Sequence, residues 1–178
     1  MKFLIVLLSL LVFSLAWATE VDTTKSKFEW LGTKVTGKHN GTISLKRANL
    51  ELDKGEVKGG EFIMDMNSIT NTDQTGEWHD KLLTHLKSAD FFDVQKFPEA
   101  KLVVTKVEGD KVNADLTIKG KTNPVTFKVV KKDSEYAGEL KFDRTKFDMI
   151  YGSGNFFKNL GDKMIHNEVT VSFKVIAK

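Results

Sequence analysis

A two-residue hydrophobic period constrains this chain more than anything else in it. Val112, Ala114, Leu116 and Ile118 alternate with Lys111, Asn113, Asp115, Thr117 and Lys119. That is the pattern of a strand with one face buried and one in water. The same alternation marks Phe28 and Trp30, then Phe62, Met64 and Met66, then Val125, Phe127 and Val129, the stretch Glu135 to Asp143, and finally Val169, Val171, Phe173 and Val175. Ile43, Leu45, Leu50 and Leu52 add another strand, and their change of phase predicts a bulge near Arg47. Ala100 to Glu108 is apolar on both parities, which leaves its inward face open.

The connections are short. Asp53-Lys54-Gly55, Gly109-Asp110, Lys119-Gly120-Lys121 and Lys131 to Ser134 read as turns, and Asn40-Gly41 within His39 to Thr42 carries the type I′ hairpin signal. Successive strands joined this way are antiparallel neighbours. The chain is therefore predicted to be mainly β, with eight antiparallel strands that close into a barrel able to hold one small ligand. A two-sheet sandwich is the alternative.

One stretch breaks the period. In Trp78 to Pro98, WHDKLLTHLKSADFFDVQKFP, the residues Trp78, Leu82, Leu83 and Leu86 share one face of a helix. Ser88 is placed to cap a second short helix, with Asp90 in its first turn. Pro98 ends the run, and Phe97 before it leads into a strand. A short, aromatic helical insert between strands covers an opening, or its aromatics fill a core.

Residues 1–18 read as a secretory signal peptide. Lys2 is followed by the apolar run Phe3 to Leu15 and by Ala16-Trp17-Ala18, a small-x-small cleavage pattern. The remaining domain, residues 19–178, is expected to be exported. The chain has no cysteine, which excludes disulfides and cysteine catalysis, and an exported domain without disulfides suits a bacterial periplasm. The formal net charge of +3 falls to +2 without Lys2, and both signs are interspersed, so nucleic acid is not expected as a partner.

The polar residues offer no catalytic constellation. His79 and His85 lie six apart, on different faces of one helix, and His79 with Asp80 lacks a third ligand at metal-site spacing. Gly152-Ser153-Gly154 is neither a nucleophile elbow nor a dinucleotide fingerprint. No metal and no cofactor is expected, and a binding protein is favoured over an enzyme such as a hydrolase using His79 and Asp80. Arg144 ends an apolar strand. Its guanidinium either meets an anionic or carbonyl head group or forms a salt bridge with Asp143 or Asp148.

Three ordered motifs carry a family resemblance. His85-Leu-Lys-Ser-Ala-Asp-Phe-Phe-Asp-Val-Gln-Lys-Phe-Pro98, Asp115-Leu-Thr-Ile-Lys-Gly-Lys-Thr-Asn-Pro-Val125 and Phe142-Asp-Arg-Thr-Lys-Phe147 together resemble the YceI-like family over residues 19–178. The resemblance implies an extended lipocalin-like antiparallel barrel in the periplasm. It implies binding of a long apolar amphiphile such as an isoprenoid quinone or a polyprenyl phosphate, held non-covalently. The candidate lining is Phe62, Met64, Leu82, Leu86, Phe91, Phe92, Leu116, Ile118, Phe127, Phe142, Arg144, Phe147 and Phe173. A carrier of this kind is also expected to touch a membrane transiently, and a homodimer is compatible with the same reading. A fully packed structural or stress-protective protein is the alternative.

Overall fold

Alternating side chains need a sheet that can bury one face, and here a single antiparallel sheet curls round to bury its own. The computed structural model describes residues 17–53 and 55–178. Its strands are β1 (Trp17–Glu20), β2 (Lys27–Lys34), β3 (Gly37–Thr42), β4 (Ser44–Asp53), β5 (Glu56–Asp65), β6 (Glu99–Glu108), β7 (Lys111–Ile118), β8 (Lys121–Lys132), β9 (Glu135–Asp143) and β10 (Ile165–Ile176). One helix, α1 (Gly76–Lys87), stands between β5 and β6.

The ten strands occupy eight rows. β2 pairs with β10 along its ladder, and the β1 end of the same row reaches β10 through the Val21–Ala177 bridge. β3 and β4 are separated only by Ile43 and share the next row, β3 against β2 and β4 against β1. β4 then pairs with β5, and the meander runs on through β10, so the sheet closes. The eight-stranded barrel expected from the alternation is present, with its first two rows each kinked into two strands. The sandwich is not formed.

Bulges explain the changes of phase. The β4–β5 register shifts between Leu45 and Arg47, where the sequence phase predicts it. In β6 the register shifts between Val104 and Lys106. Ala100, Leu102 and Val104 face inward before the shift and Val107 after it, which accounts for the apolar residues on both parities.

Three local expectations are corrected. Asn40-Gly41 is not a turn: both residues lie within β3, opposite Leu31 and Trp30, and the chain reverses at Val35-Thr36. Gly41 is required for close approach instead, because the segment after β5 crosses over it. Ser88 does not start a second helix. It closes α1, its hydroxyl donating to the His85 carbonyl at 2.8 Å, and residues 89–92 form turns. Trp78 does not join Leu82, Leu83 and Leu86 on the buried side of α1, because it sits in the first turn, beyond the barrel's cover, and is exposed.

The barrel has two unlike ends. At one, the tight turns β4–β5, β6–β7 and β8–β9 close the rows, beside the row end where Val21 meets Ala177. At the other lie the turn at Val35-Thr36, the turn at Lys119-Gly120, the insert carrying α1, and the long segment 144–164. Most chain outside the sheet is thus gathered at one end.

A ligand cavity along the barrel axis

The inward faces do not fill the barrel. They enclose a cavity of ≈ 560 Å³, within the usual range for ligand sites. Each row contributes apolar atoms at alternate positions. Phe62 and Met64 come from β5, Leu116 and Ile118 from β7, Phe127 from β8, Phe142 from β9 and Phe173 from β10. From the insert, Leu82 and Leu86 reach it from α1, with Phe91 and Phe92 from the turns that follow. The Phe127 and Phe173 rings meet edge to face at 5.6 Å, and Phe91 and Phe92 do so at 5.1 Å. The cavity runs from Lys34, Tyr151 and Ile165 at the insert end to Val57 and Tyr136 at the turn end.

Two of the thirteen residues expected on this wall are elsewhere. Phe147 is 1% exposed and packs edge-on against Phe142 at 5.5 Å, behind the lining. Arg144 is fully buried but does not face the cavity. Its Nε donates to the His166 carbonyl at 3.1 Å, one terminal nitrogen to the Ile165 carbonyl at 3.1 Å, and the other to the Met149 carbonyl. The guanidinium carbon lies 5.7 Å from the Phe91 ring centroid. Neither earlier account of Arg144 holds. Asp143 instead caps the following turn through Thr145, and Asp148 pairs with Lys121 at 3.0 Å. Arg144 is a clamp that ties segment 144–149 to the start of β10. Burial lowers its pKa, against the pull of Asp143.

Among the wall residues not expected from the sequence, one is titratable and deeply placed. His85 lines the cavity, with its ring 4.4 Å from Tyr151 and 5.6 Å from Phe91 between centroids. Its Nε2 is buried and has no hydrogen-bond partner among the described residues. Burial pushes its pKa below the ordinary 6.5; Asp90 opposes this and the Arg144 charge adds to it. The signal was in the helical spacing, since His85 lies three residues after Leu82 and one before Leu86. The other candidate pair is remote from any such site. His79 Nδ1 lies 2.9 Å from Asp80 Oδ1 on the exposed side of α1, and no group of three His, Cys, Asp or Glu side chains could hold a metal among the described residues.

A closed antiparallel barrel with a helical insert at one end and an apolar axial cavity is the architecture that the three motifs imply. The YceI-like domain matches residues 17–177. The chain belongs to the YceI-like family. Among its curated relatives, a UPF0312 protein of Pseudomonas putida is 38% identical over 94 residues, covering 50% of this chain and 47% of that protein. Protein YceI of Salmonella arizonae is 34% identical over 91 residues, covering 49% and 42%. The chain therefore aligns with about half the length of these relatives. The crystal structure of BcnA from Burkholderia cenocepacia superposes with a TM-score of 0.67 at 23% identity, covering 89% of this chain and 99% of that one. A polyisoprenoid binding domain from Saccharophagus degradans superposes with a TM-score of 0.64 at 15% identity, covering 92% and 98%. These likenesses show that the YceI-like fold persists where little sequence is shared.

Proposed function

We propose that this YceI-like protein binds one long apolar amphiphile, an isoprenoid chain, along the barrel axis, and carries or stores it rather than transforming it. The observation that carries this reading is the axial cavity, apolar on every row from one end of the barrel to the other. A packed structural protein has no reason to leave such a space open. A hydrolase needs a nucleophile or activated water near its substrate, and His85, deep in the wall, has no hydrogen-bond partner on its buried Nε2 among the described residues with which to activate one. The superposed domain from Saccharophagus degradans, described as polyisoprenoid binding, agrees with the reading. Affinity on this account comes from burial, at about 0.8 kcal/mol per methylene, and polar contacts select among head groups.

The same proposal places the protein in the periplasm, with residues 1–18 removed on export. Those residues, apart from Trp17 and Ala18, lie outside the described structure. Trp17 and Ala18 pair with Leu52 and Glu51 at the start of β1, so cleavage after Ala18 leaves β1 its last two residues, Thr19 and Glu20.

The reading is tested by titrating the purified protein with an isoprenoid alcohol and a short-chain isoprenoid quinone, following displacement of a neutral apolar dye. Displacement that saturates at one ligand per chain is expected. A protein that takes up neither dye nor isoprenoid contradicts it.

A further inference from the structure

Among the described residues, five of the six exposed large apolar side chains lie at the insert end of the barrel. Val35 is 48% exposed, Trp78 69%, Tyr151 48%, Phe156 56% and Phe157 44%. They come from three separate segments: the β2–β3 turn, the first turn of α1, and the loop between β9 and β10. The turn and the loop are held together, with the Val35 N–H donating to the Met164 carbonyl at 3.1 Å. The cavity reaches this same end, where Lys34, Tyr151, Asp162, Lys163 and Ile165 form its wall. The exposed apolar groups therefore ring the end of the cavity at which most chain leaves the sheet.

The charge on this end is basic. The segments 34–38, 76–81 and 150–163 carry five lysines against three carboxylates. Lys81 is held by Glu77 at 2.6 Å and lies 4.9 Å from the Trp78 ring centroid. Lys34, Lys38, Lys158 and Lys163 have no carboxylate partner among the described residues. Scattered exposed aromatics with free lysines between them are what an interfacial membrane contact requires. The rings enter the headgroup boundary while the ammonium groups meet anionic lipid. A second protein would be met better by a flat or grooved apolar face low in lysine. No helix among the described residues is long and apolar enough to cross a membrane, so contact at this end is peripheral.

We infer that the insert end of the barrel docks on an anionic phospholipid surface, with Phe156, Phe157, Trp78, Tyr151 and Val35 inserted and Lys34, Lys38, Lys158 and Lys163 on the headgroups. The inference rests on the lipid-binding reading and extends it: the amphiphile passes between bilayer and cavity without crossing water. Phe156, Phe157, Lys38 and Lys158 do not line the cavity. Docking and uptake can therefore be separated.

The test is flotation of the purified protein with vesicles of phosphatidylcholine alone or mixed with phosphatidylglycerol. Neutral-dye uptake is measured on the same samples. The expected result is binding to the anionic vesicles only, weakened by added salt. Lys38→Gln with Lys158→Gln should lower the partition coefficient about thirtyfold. Phe156→Ser with Phe157→Ser should lower it about tenfold or more. Both variants should take up dye as the wild type does. Equal binding to neutral and anionic vesicles overturns the inference, as does unchanged partition of the Phe156→Ser, Phe157→Ser variant. Concentration-dependent self-association that both substitutions abolish, without vesicle binding, also overturns it and makes this face an interface between copies of the chain. The salt dependence of the wild type decides the electrostatic part without any variant. If wild-type protein takes up no dye, the lipid-binding reading fails, and the partition data still decide the docking face by themselves.

Discussion

The carbonyl oxygen of Thr70 occupies the place that a side chain on residue 41 would need. A Cβ built on Gly41 stands 1.9 Å from that oxygen and 2.8 Å from Nε1 of Trp30. The same carbonyl accepts the Trp30 indole N–H at 2.9 Å. The segment leading to α1 is thus pinned across β3 at Gly41. Asp73 strengthens the crossing by accepting the Asn40 N–H at 2.8 Å, with its other oxygen 2.8 Å from His39 Nδ1. The insert that covers the cavity is anchored here.

Gly41→Ala should therefore destabilise the fold by about 3 kcal/mol, at the upper end of overpacking costs, because the clash is with backbone. Chemical denaturation measures this. A change under about 0.5 kcal/mol would mean that the crossing segment shifts freely.

Arg144→Met should cost about 3 kcal/mol, since the buried Met149 carbonyl and the part-buried Ile165 and His166 carbonyls lose their donor. Arg144→Lys should recover only part, because an ammonium cannot serve three acceptors in the guanidinium plane. Preference between a full amphiphile and its plain hydrocarbon chain should not change in either variant. A selective loss of head-group binding would return Arg144 to the ligand site.

The strands and most of the wall were legible in the sequence because their side chains obey the two-residue period. Phe62, Met64, Leu116, Ile118, Phe127 and Phe173 all face the cavity for that reason. What was not legible depends on chain crossing. Asn40-Gly41 carries a strong local turn signal, yet the glycine serves a contact with Thr70, about thirty residues away, that no local pattern reveals. Arg144 looked available because its partners are backbone carbonyls, which sequence does not distinguish. His85 was readable from its spacing to Leu82 and Leu86, but a histidine among lysines and aspartates suggests a wet surface.

Stability near pH 6 should report on His85. The unfolded imidazole takes up a proton as pH falls through about 6.5, while the buried one, with its pKa lowered, resists. The unfolded state then binds more protons, so stability is complete above that pH and falls below it. His85→Phe, which also removes a buried nitrogen without a partner, should flatten the fall in melting temperature between pH 7 and pH 5. Asp90 and Arg144, the charged groups that act on the ring, are kept in both proteins. Identical pH profiles would show that the folded His85 titrates like a solvated one.

Phe127→Asp places a carboxylate on an apolar wall, where the ring it replaces meets Phe173 edge to face. Binding of a neutral apolar dye should weaken about a hundredfold or more. Val130→Asp, on the same strand but with the side chain exposed, should leave binding unchanged. Equal effects of the two substitutions would mean that the dye reports on the outer surface.

The central claim is that the barrel interior holds an amphiphile, and native mass spectrometry of the full-length protein expressed in a bacterial host tests it most directly. The account predicts a population heavier than the processed chain by the mass of one long apolar molecule. That extra mass should be lost on collisional activation and recovered in an organic extract. A protein that shows only its bare mass, and still shows only its bare mass after incubation with an isoprenoid alcohol and an isoprenoid quinone, would contradict it.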